Sequence, residues 1–204
     1  MNLIERARAI LTRPKLGIAG TAAEPATTSS LVSGYAALLA SLPALGMLFA
    51  LILFAGGSLA SGIGYALILL LLLYLLRDLG LTLLMGKVAK PLSRAFGGSG
   101  DGMNAMKLAV YAATPIWIAG FIFALLAPVV GSLAYLLLLA GFAYAGYILY
   151  LGSGPLLAVP QAQAPIFAGI MTVIWLILWF LANDFVSRIV LSMVFSGALR
   201  GYGI

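Results

Sequence analysis

The sequence predicts an all-α membrane protein, a five-helix transmembrane bundle with a short N-terminal amphipathic helix. Three observations predict it. Of the 204 residues, 64% are hydrophobic and only 8% are charged, whereas a soluble domain carries roughly 25% charged residues. The mean hydropathy is +1.17. The apolar residues also fall into five blocks, each close to the roughly 20 residues that one helix needs to cross a bilayer.

The N-terminal segment, residues 1–30, precedes the first block. Residues 2–12 repeat apolar side chains at helical spacing, with most charges on the other face, which predicts an amphipathic helix that ends before Pro14. Such a helix either lies on the membrane surface or packs on the cytoplasmic face of the protein itself. Because charges run through the first residues and no cleavage site follows a short apolar core, we expect no cleaved signal peptide. Ser29 or Ser30 is the expected N-cap of the next helix.

Five spans make up the transmembrane domain, residues 31–204. Pro43 lies inside the first span and predicts a kink, and the turn at residues 56–62 carries no charge. Pro115 lies inside the third span and predicts a bend or a break. An apolar tail follows the fifth span, and its residues 184–199 either continue outward or re-enter the membrane. The predicted spans cover residues 31–54, 63–86, 108–127, 131–151 and 166–182.

The basic residues set the predicted orientation. They concentrate before the first span and between the second and third spans, while the turns on the opposite side carry none. The positive-inside rule places the basic side in the cytoplasm. We therefore predict an inner (plasma) membrane protein with a cytoplasmic N-terminus and, after five spans, an external C-terminus. The net charge of +6 indicates contact with anionic lipid headgroups rather than with nucleic acid.

The composition argues against catalysis. The chain has no Cys and no His, which excludes thiol chemistry, a Ser-His-Asp triad, and zinc or haem sites built on those residues. The five carboxylates are far apart in sequence, so no acid–base pair is visible. The glycine-rich run between the second and third spans lacks the Gly-Lys-Ser/Thr ending of a phosphate-binding loop, and we expect a flexible turn there. The sequence therefore predicts neither an enzyme nor a cofactor.

Arg77 and Asp78, near the end of the second block, are the first candidate site. The span either ends near Arg77, or the helix continues outward beyond it as an amphipathic extension. A charge at mid-bilayer costs a few kcal/mol, so we expect both charges to lie near the interface, either as an intramembrane site or with Arg77 reaching the headgroups. Because adjacent helix positions do not face each other, Asp78 is expected to find its partner in Thr82 or on another helix. Asp184 and Arg188, at i and i+4, are expected to pair.

The tyrosines of the fourth block are the second group of candidates. Tyr144, Tyr147 and Tyr150 are spaced by three residues. This spacing is typical of helix packing combined with an aromatic belt at the membrane interface, and a stripe that lines a ligand site is the alternative. The residues that follow, 152–165, contain three prolines and no charge, which predicts a loop.

Two stretches carry recognisable motifs. The first runs from Lys107 to Gly120, and the second is Leu149 to Gly152 with prolines after it; further matches lie in residues 2–27. Taken together, in this order and spacing, they resemble the bacterial branch of the Yip family, named for interaction with Ypt/Rab GTPases. The motif residues are Tyr111, Thr114, Pro115, Trp117, Gly152, Pro155 and Pro160.

The resemblance implies five spans with a cytoplasmic N-terminus and an external C-terminus, which agrees with the charge pattern. Eukaryotic members act in ER and Golgi trafficking and bind prenylated small GTPases. This chain lacks their long cytoplasmic N-terminal region, which argues against GTPase binding. It also departs from the bacterial pattern, because Ile18 stands where an aromatic residue is usual and the usual charges around Pro160 are absent. The resemblance supplies no biochemical activity.

Two functions remain from the sequence. The first is a non-enzymatic multi-pass membrane protein that organises membrane lipids or protein partners, the partner being another membrane protein or a second copy of the chain. The second is a small-molecule or ion transporter or channel, which rests on the helix breaks expected at Pro43 and Pro115, on Asp78 and on the tyrosines. A membrane enzyme ranks last.

Overall fold

The computed structural model describes residues 2–54 and 64–201, and every regular element within them is helical. The uncharged turn at residues 56–62 and the start of the predicted second span lie outside the described residues. Within the described ranges, four stretches are long and apolar enough to cross a membrane. They are Thr28–Phe54, Ile68–Ala95, Gly102–Leu157 and Ala164–Ile189.

Two short helices form the N-terminal segment, α1 (Leu3–Thr12) and α2 (Pro14–Ala19). Pro14 opens α2, because a proline in the first turn has no hydrogen bond to lose. The side chains of Ile10 and Ile18 are fully buried against the rest of the protein. Of the two placements that the sequence left open, the structure therefore shows the segment packed on the protein itself.

The first apolar stretch is helical with two irregularities. Its N-cap is Thr27 rather than Ser29 or Ser30, because the Thr27 hydroxyl accepts the backbone N–H of Ser30 at 3.1 Å. The helix is interrupted at Ser41, so that Pro43 falls in the first turn of the next helix, where its missing N–H breaks no hydrogen bond. The elements are α3 (Thr28–Leu31), a π-helical turn (Val32–Ala36), α4 (Ala37–Ala40) and α5 (Leu42–Phe54).

The next two helices are longer than the predicted spans. α6 covers Gly64–Ala95 and α7 covers Gly102–Val130. Pro115 lies within α7 without interrupting it. Of the two predicted effects, a bend or a break, the break is therefore wrong. A proline inside a helix is tolerated where neighbouring helices surround it, and Pro115 lies in a stretch of α7 that is buried on all sides.

The glycine-rich turn between α6 and α7 is docked, not flexible as predicted. The backbone N–H groups of Ser99 and Gly100 both donate to the carbonyl oxygen of Leu157, at 2.9 and 3.0 Å. A Cβ atom on Gly100 would lie only 2.5 Å from the Leu157 Cα atom. The glycines thus allow the backbone of this turn to approach α8 closely. Composition alone does not distinguish glycines with this role from glycines in a flexible turn.

Helices α7 and α8 (Tyr135–Leu157) fold back on each other across a 3₁₀ turn, Gly131–Ala134. Phe123 contacts Tyr135 near the turn, with ring centroids 4.9 Å apart. The pair is therefore an antiparallel hairpin, which accounts for the length of the third apolar stretch. Gly152 and Pro155, predicted to lie in a loop, belong to α8, and the connection to the next helix is only residues 158–163.

The last helix, α9, runs from Ala164 to Gly201. The predicted fifth span, 166–182, lies within it. Because the helix continues unbroken through residues 184–199, that part of the tail does not turn back, and the re-entrant alternative is wrong.

The core of the protein is built around α7. Its residues from Ala105 to Trp117 are all buried, and α7 packs against α5, α6, α8 and the N-terminal segment. A helix that is apolar around its whole circumference is stable where protein covers every side. The consequence is that polar side chains on or facing α7 must find partners inside the protein.

Candidate functional site

The first polar site lies at the N-terminal end of α7, where Lys107 holds the N-terminal segment. The Lys107 side chain is only 3% exposed. Its ammonium group donates to the carbonyl oxygens of Thr21 at 2.9 Å and Glu24 at 2.5 Å. A buried ammonium group needs such acceptors, since an unpaired charge in apolar surroundings is very costly. Lys107 is therefore a structural anchor for the N-terminal segment.

An ion pair lies beside this anchor. Arg6 of α1 pairs with the Glu24 carboxylate, and its guanidinium carbon lies 5.8 Å from the centre of the Tyr111 ring. Contacts of this kind between a guanidinium and an aromatic face are attractive. We call Arg6, Glu24 and Lys107 the N-terminal clamp, because together they fasten residues 2–27 to α7.

The motif residues on α7 complete the packing of the first apolar stretch. Thr114 shares a hydrogen bond of 2.8 Å with the Tyr35 hydroxyl, and the Tyr35 and Tyr111 rings meet edge to face at 5.1 Å. Trp117 is 2% exposed. These positions join helices and do not line the cavity described below, except through their neighbour Ile116.

The tyrosines of α8 separate into two roles. The Tyr144 hydroxyl donates to the Leu11 carbonyl oxygen at 2.7 Å, which ties α1 to α8. Tyr147 is exposed, and Tyr150 is half-buried. Both line a shallow groove between α8 and α9, and Thr172 is the other polar residue among those that line it. The three evenly spaced tyrosines therefore do not share one role: Tyr144 packs helices together, whereas Tyr147 and Tyr150 lie at a surface groove.

The remaining motif residues shape the backbone. A Cβ atom on Gly152 would lie 2.4 Å from the Leu108 side chain, so a glycine is needed for α8 to approach α7 this closely. Pro155 is inside the last turns of α8. The carbonyl oxygen of Pro160 accepts the N–H groups of Gln163 and Ala164, at 2.9 and 3.1 Å, which starts α9.

Arg77 and Asp78 form the second polar site, and they pair with each other. The Arg77 Nε atom donates to Asp78 Oδ1 at 2.9 Å, and their side chains are 4% and 5% exposed. The prediction that adjacent positions cannot meet is wrong, because the long arginine side chain reaches back to its neighbour. Thr82 donates to the backbone carbonyl of Asp78, not to its carboxylate.

Further contacts hold the guanidinium of Arg77 inside the bundle. Its Nη1 atom donates to Asn183 Oδ1 on α9 at 2.7 Å. Its central carbon lies 4.6 Å from the Tyr74 ring centre and 5.0 Å from that of Trp179. Arg77 therefore points toward α9 and does not extend to headgroups.

The pair lies level with the middle of α7. Gly86 of α6 contacts Met106 near the start of α7, and the two helices run antiparallel. Asp78 is eight residues before Gly86, and Thr114 is eight residues after Met106, so Asp78 lies at about the level of Thr114. The apolar stretch Ile68–Ala95 also encloses both charges. Helix α6 continues to Ala95, well beyond both charges, which agrees with the predicted outward extension of this helix.

A partly open cavity of about 590 Å³ adjoins the ion pair. Its walls are mostly apolar, and its polar residues are few, a combination typical of ligand pockets of roughly 300–1,000 Å³. All the spanning helices contribute to it. The lining includes Pro43, Met47, Leu51 and Phe54 of α5; Tyr74, Arg77 and Asp78 of α6; Gly120, Phe123 and Ala127 of α7; Leu138 of α8; and Trp179, Asn183 and Ser187 of α9.

Sequence reasoning missed several residues of both sites. Arg6 and Lys107 were used only for the predicted orientation, and Lys107 and Glu24 otherwise only as members of the stretches that carry the resemblance. Asn183 and Trp179 were given no role. One signal was available for Asn183, since an amide within a strongly apolar helix requires a hydrogen-bond partner. No group of three acidic residues in the described part of the chain lies close enough to hold a metal ion.

These features define a class of protein before any comparison. Long apolar helices that bury their charges in ion pairs and backbone hydrogen bonds are the mark of a helical membrane protein. The model of the Yip1 domain family matches residues 8–182, and the chain belongs to that family. The matched range includes Arg77, Asp78 and Lys107. Comparisons with curated proteins and with solved structures gave no match.

Proposed function

We propose that this chain is a non-enzymatic multi-pass protein of the inner (plasma) membrane that organises membrane lipids or protein partners. The observation that carries the proposal is the N-terminal clamp. It fastens a basic segment to the helix bundle, and a fixed basic surface next to spanning helices is suited to anionic headgroups.

The exposed side chains of the fastened segment support this role. Arg8, Arg13 and Lys15 are exposed, and so are two large apolar side chains, Ile4 at 76% and Leu16 at 71%. Basic groups beside apolar ones match the boundary between headgroups and acyl chains. A segment held by buried contacts presents these groups without having to fold on binding.

Five spans with a cytoplasmic N-terminus are part of the proposal. The third apolar stretch is an antiparallel hairpin, so it supplies two crossings, and the four stretches then give five. The basic residues of the N-terminal segment and of the α6–α7 connection fall at the same end of the bundle, since Lys107, at the start of α7, donates to the carbonyl oxygens of Thr21 and Glu24. The positive-inside rule places that end in the cytoplasm.

Cysteine accessibility tests this topology, because the chain has no native cysteine. Thr12→Cys and Ser99→Cys are expected to react with an impermeant thiol reagent only after the membrane is opened. Ser132→Cys, on the exposed 3₁₀ turn, is expected to react in intact cells. Ser99 is a better position than Gly98, where a Cβ atom would lie 2.7 Å from the Leu157 carbonyl oxygen. Labelling of Thr12→Cys from outside would overturn the orientation.

The lipid role is tested in nanodiscs that contain phosphatidylglycerol and phosphatidylcholine. Replacing Arg8, Arg13 and Lys15 together by Gln is expected to reduce the phosphatidylglycerol retained by the purified protein, since each basic residue near a membrane contributes about 1 kcal/mol of attraction. Arg188→Gln, which removes one exposed basic residue at the other end of the bundle, is the control. Equal retention by the triple variant and the unmodified protein would contradict the lipid role.

A transporter or channel is the second candidate, and the cavity beside Arg77 and Asp78 is the observation that favours it. The cavity is one-sided, because the region between it and the N-terminal clamp is filled by fully buried side chains such as Leu108, Ile148 and Leu149. A binding site fits that shape better than a conduit. Ion or solute flux into liposomes that is lost in Asp78→Asn would establish the transporter instead.

A further inference from the structure

The cavity beside Arg77 and Asp78 contains one carboxylate oxygen without a described donor. Oδ1 of Asp78 receives the Arg77 Nε hydrogen bond, and the closest Arg77 contact in the ion pair is also with Oδ1. No described residue donates a hydrogen bond to Oδ2. Asp78 lines the cavity, and a carboxylate oxygen that faces it is an acceptor for a donor that enters, since hydrogen bonds to charged groups are stronger than those between neutral groups.

The guanidinium of Arg77 is much more fully engaged. It contacts Asp78 and Asn183 and lies over the rings of Tyr74 and Trp179. Since the pair itself is electrically neutral, the polar end of the cavity attracts no net charge. The Asp78 oxygen that Arg77 leaves open therefore favours a zwitterionic molecule, which is neutral overall and bears an ammonium group.

The rest of the cavity favours an apolar chain. Met47, Leu51 and Phe54 of α5 face Phe123 and Ala127 of α7 across it. Phe54 is also an exposed side chain, and exposed apolar neighbours such as Leu53 continue from this rim along α5. A molecule with its polar head at Asp78 can therefore extend an acyl chain past the rim into the surrounding membrane.

We propose that this cavity binds an amine-headed phospholipid from the membrane, with its ammonium group at Asp78 Oδ2 and an acyl chain along the apolar wall that α5 and α7 form. The proposal rests on the lipid-organising role above and names a lipid class and a site for it. The clamp attracts anionic headgroups at one end of the bundle, whereas this cavity selects a zwitterionic lipid near its centre.

The test is native mass spectrometry of the full chain released from nanodiscs of equal parts phosphatidylethanolamine and phosphatidylglycerol. We expect the unmodified protein to retain phosphatidylethanolamine. Asp78→Asn, which replaces the open acceptor by an amide and leaves an acceptor for Arg77, is expected to lower that retention about tenfold. The matched control is Asp184→Asn, which neutralises the exposed aspartate of another ion pair.

A second variant keeps the ion pair intact, so that the result does not depend on how Asp78→Asn folds. Ala127→Phe fills the apolar wall and is expected to abolish retention, while Ala140→Phe, on the exposed face of α8, is expected to leave it unchanged. Phosphatidylcholine in place of phosphatidylethanolamine is expected to be retained less, because its quaternary ammonium has no N–H to donate.

Three results would overturn the proposal: retention of phosphatidylethanolamine no greater than that of phosphatidylcholine, equal retention of phosphatidylethanolamine by Asp78→Asn, or equal retention by Ala127→Phe. Each leaves the cysteine-labelling pattern and the effect of the basic N-terminal residues intact. Failure of the cavity proposal is therefore distinguishable from failure of the proposed function.

Discussion

Lys107 and Arg77 are both cations buried inside an apolar helix bundle, and their surroundings differ. Lys107 donates to carbonyl oxygens of a segment more than 80 residues away in sequence, and its side chain is only 3% exposed. Arg77 pairs with the residue next to it, and a cavity of about 590 Å³ lies alongside. Both cations therefore have hydrogen-bond partners, but the site around Lys107 is closed, whereas the site around Arg77 opens onto a cavity.

This difference follows from the groups to which each cation donates its hydrogen bonds. The partners of Lys107 are backbone atoms of a chain segment, so the segment itself closes the site. Arg77 holds only side chains on α6 and α9, and the cavity remains open beside them. We infer that the clamp maintains the fold and that the ion pair is the part of the molecule available to a ligand.

The largest expected effect comes from breaking the ion pair. Arg77→Met leaves the Asp78 carboxylate buried without its cation, which costs about 3–5 kcal/mol of stability. Thermal unfolding in detergent measures it. The double variant Arg77→Met, Asp78→Leu removes both charges and is expected to recover most of the loss, because replacing a buried ion pair by apolar residues is often neutral. A double variant as unstable as the single one would show that the pair is needed for the fold and not for a ligand.

Releasing the clamp has the next largest effect. Lys107→Met leaves carbonyl groups of Thr21 and Glu24 buried without a donor, which is expected to cost about 2–3 kcal/mol and to expose the N-terminal segment to protease. Lys87→Met, at an exposed position of α6, is the control and is expected to change neither. Unaltered protease resistance in Lys107→Met would contradict the assignment of Lys107 as an anchor.

The packing difference between the two regions predicts a smaller effect. Gly152→Ala places a methyl group against the Leu108 side chain, and overpacking of this kind costs about 1–2 kcal/mol. Ala127→Phe adds a much larger group at the cavity, where space is available, and is expected to leave the melting temperature close to that of the unmodified protein. Comparable losses in both variants would mean that the cavity is not available space.

Sequence alone predicted an all-helical fold with long apolar helices, because apolar composition is a local property. Their ends and their contacts were harder. Pro155 was assigned to a loop, but it lies within α8. The close packing of Gly152 against α7 holds this end of α8 in place, and such a contact cannot be read from local sequence. The docked glycine-rich turn likewise depends on the carbonyl of Leu157, which is distant in sequence.

The candidate sites show the same limit. Arg77 and Asp78 were identified, but their mutual pairing was not, because the pattern of helix faces neglects how far an arginine side chain reaches. Lys107 and Asn183 could not be assigned roles, since their partners lie on other elements. The cavity requires five helices to be placed together, and no periodicity in one helix contains that information.

The smallest expected effect belongs to the ion pair that sequence did predict. Asp184 and Arg188 pair at 2.8 Å, as their i, i+4 spacing indicates. Both side chains are exposed, so water and salt already stabilise the separate charges. Asp184→Asn is therefore expected to leave the melting temperature unchanged at any salt concentration, in contrast to Arg77→Met. A loss in Asp184→Asn comparable to that of Arg77→Met would show that burial is not what separates the two pairs.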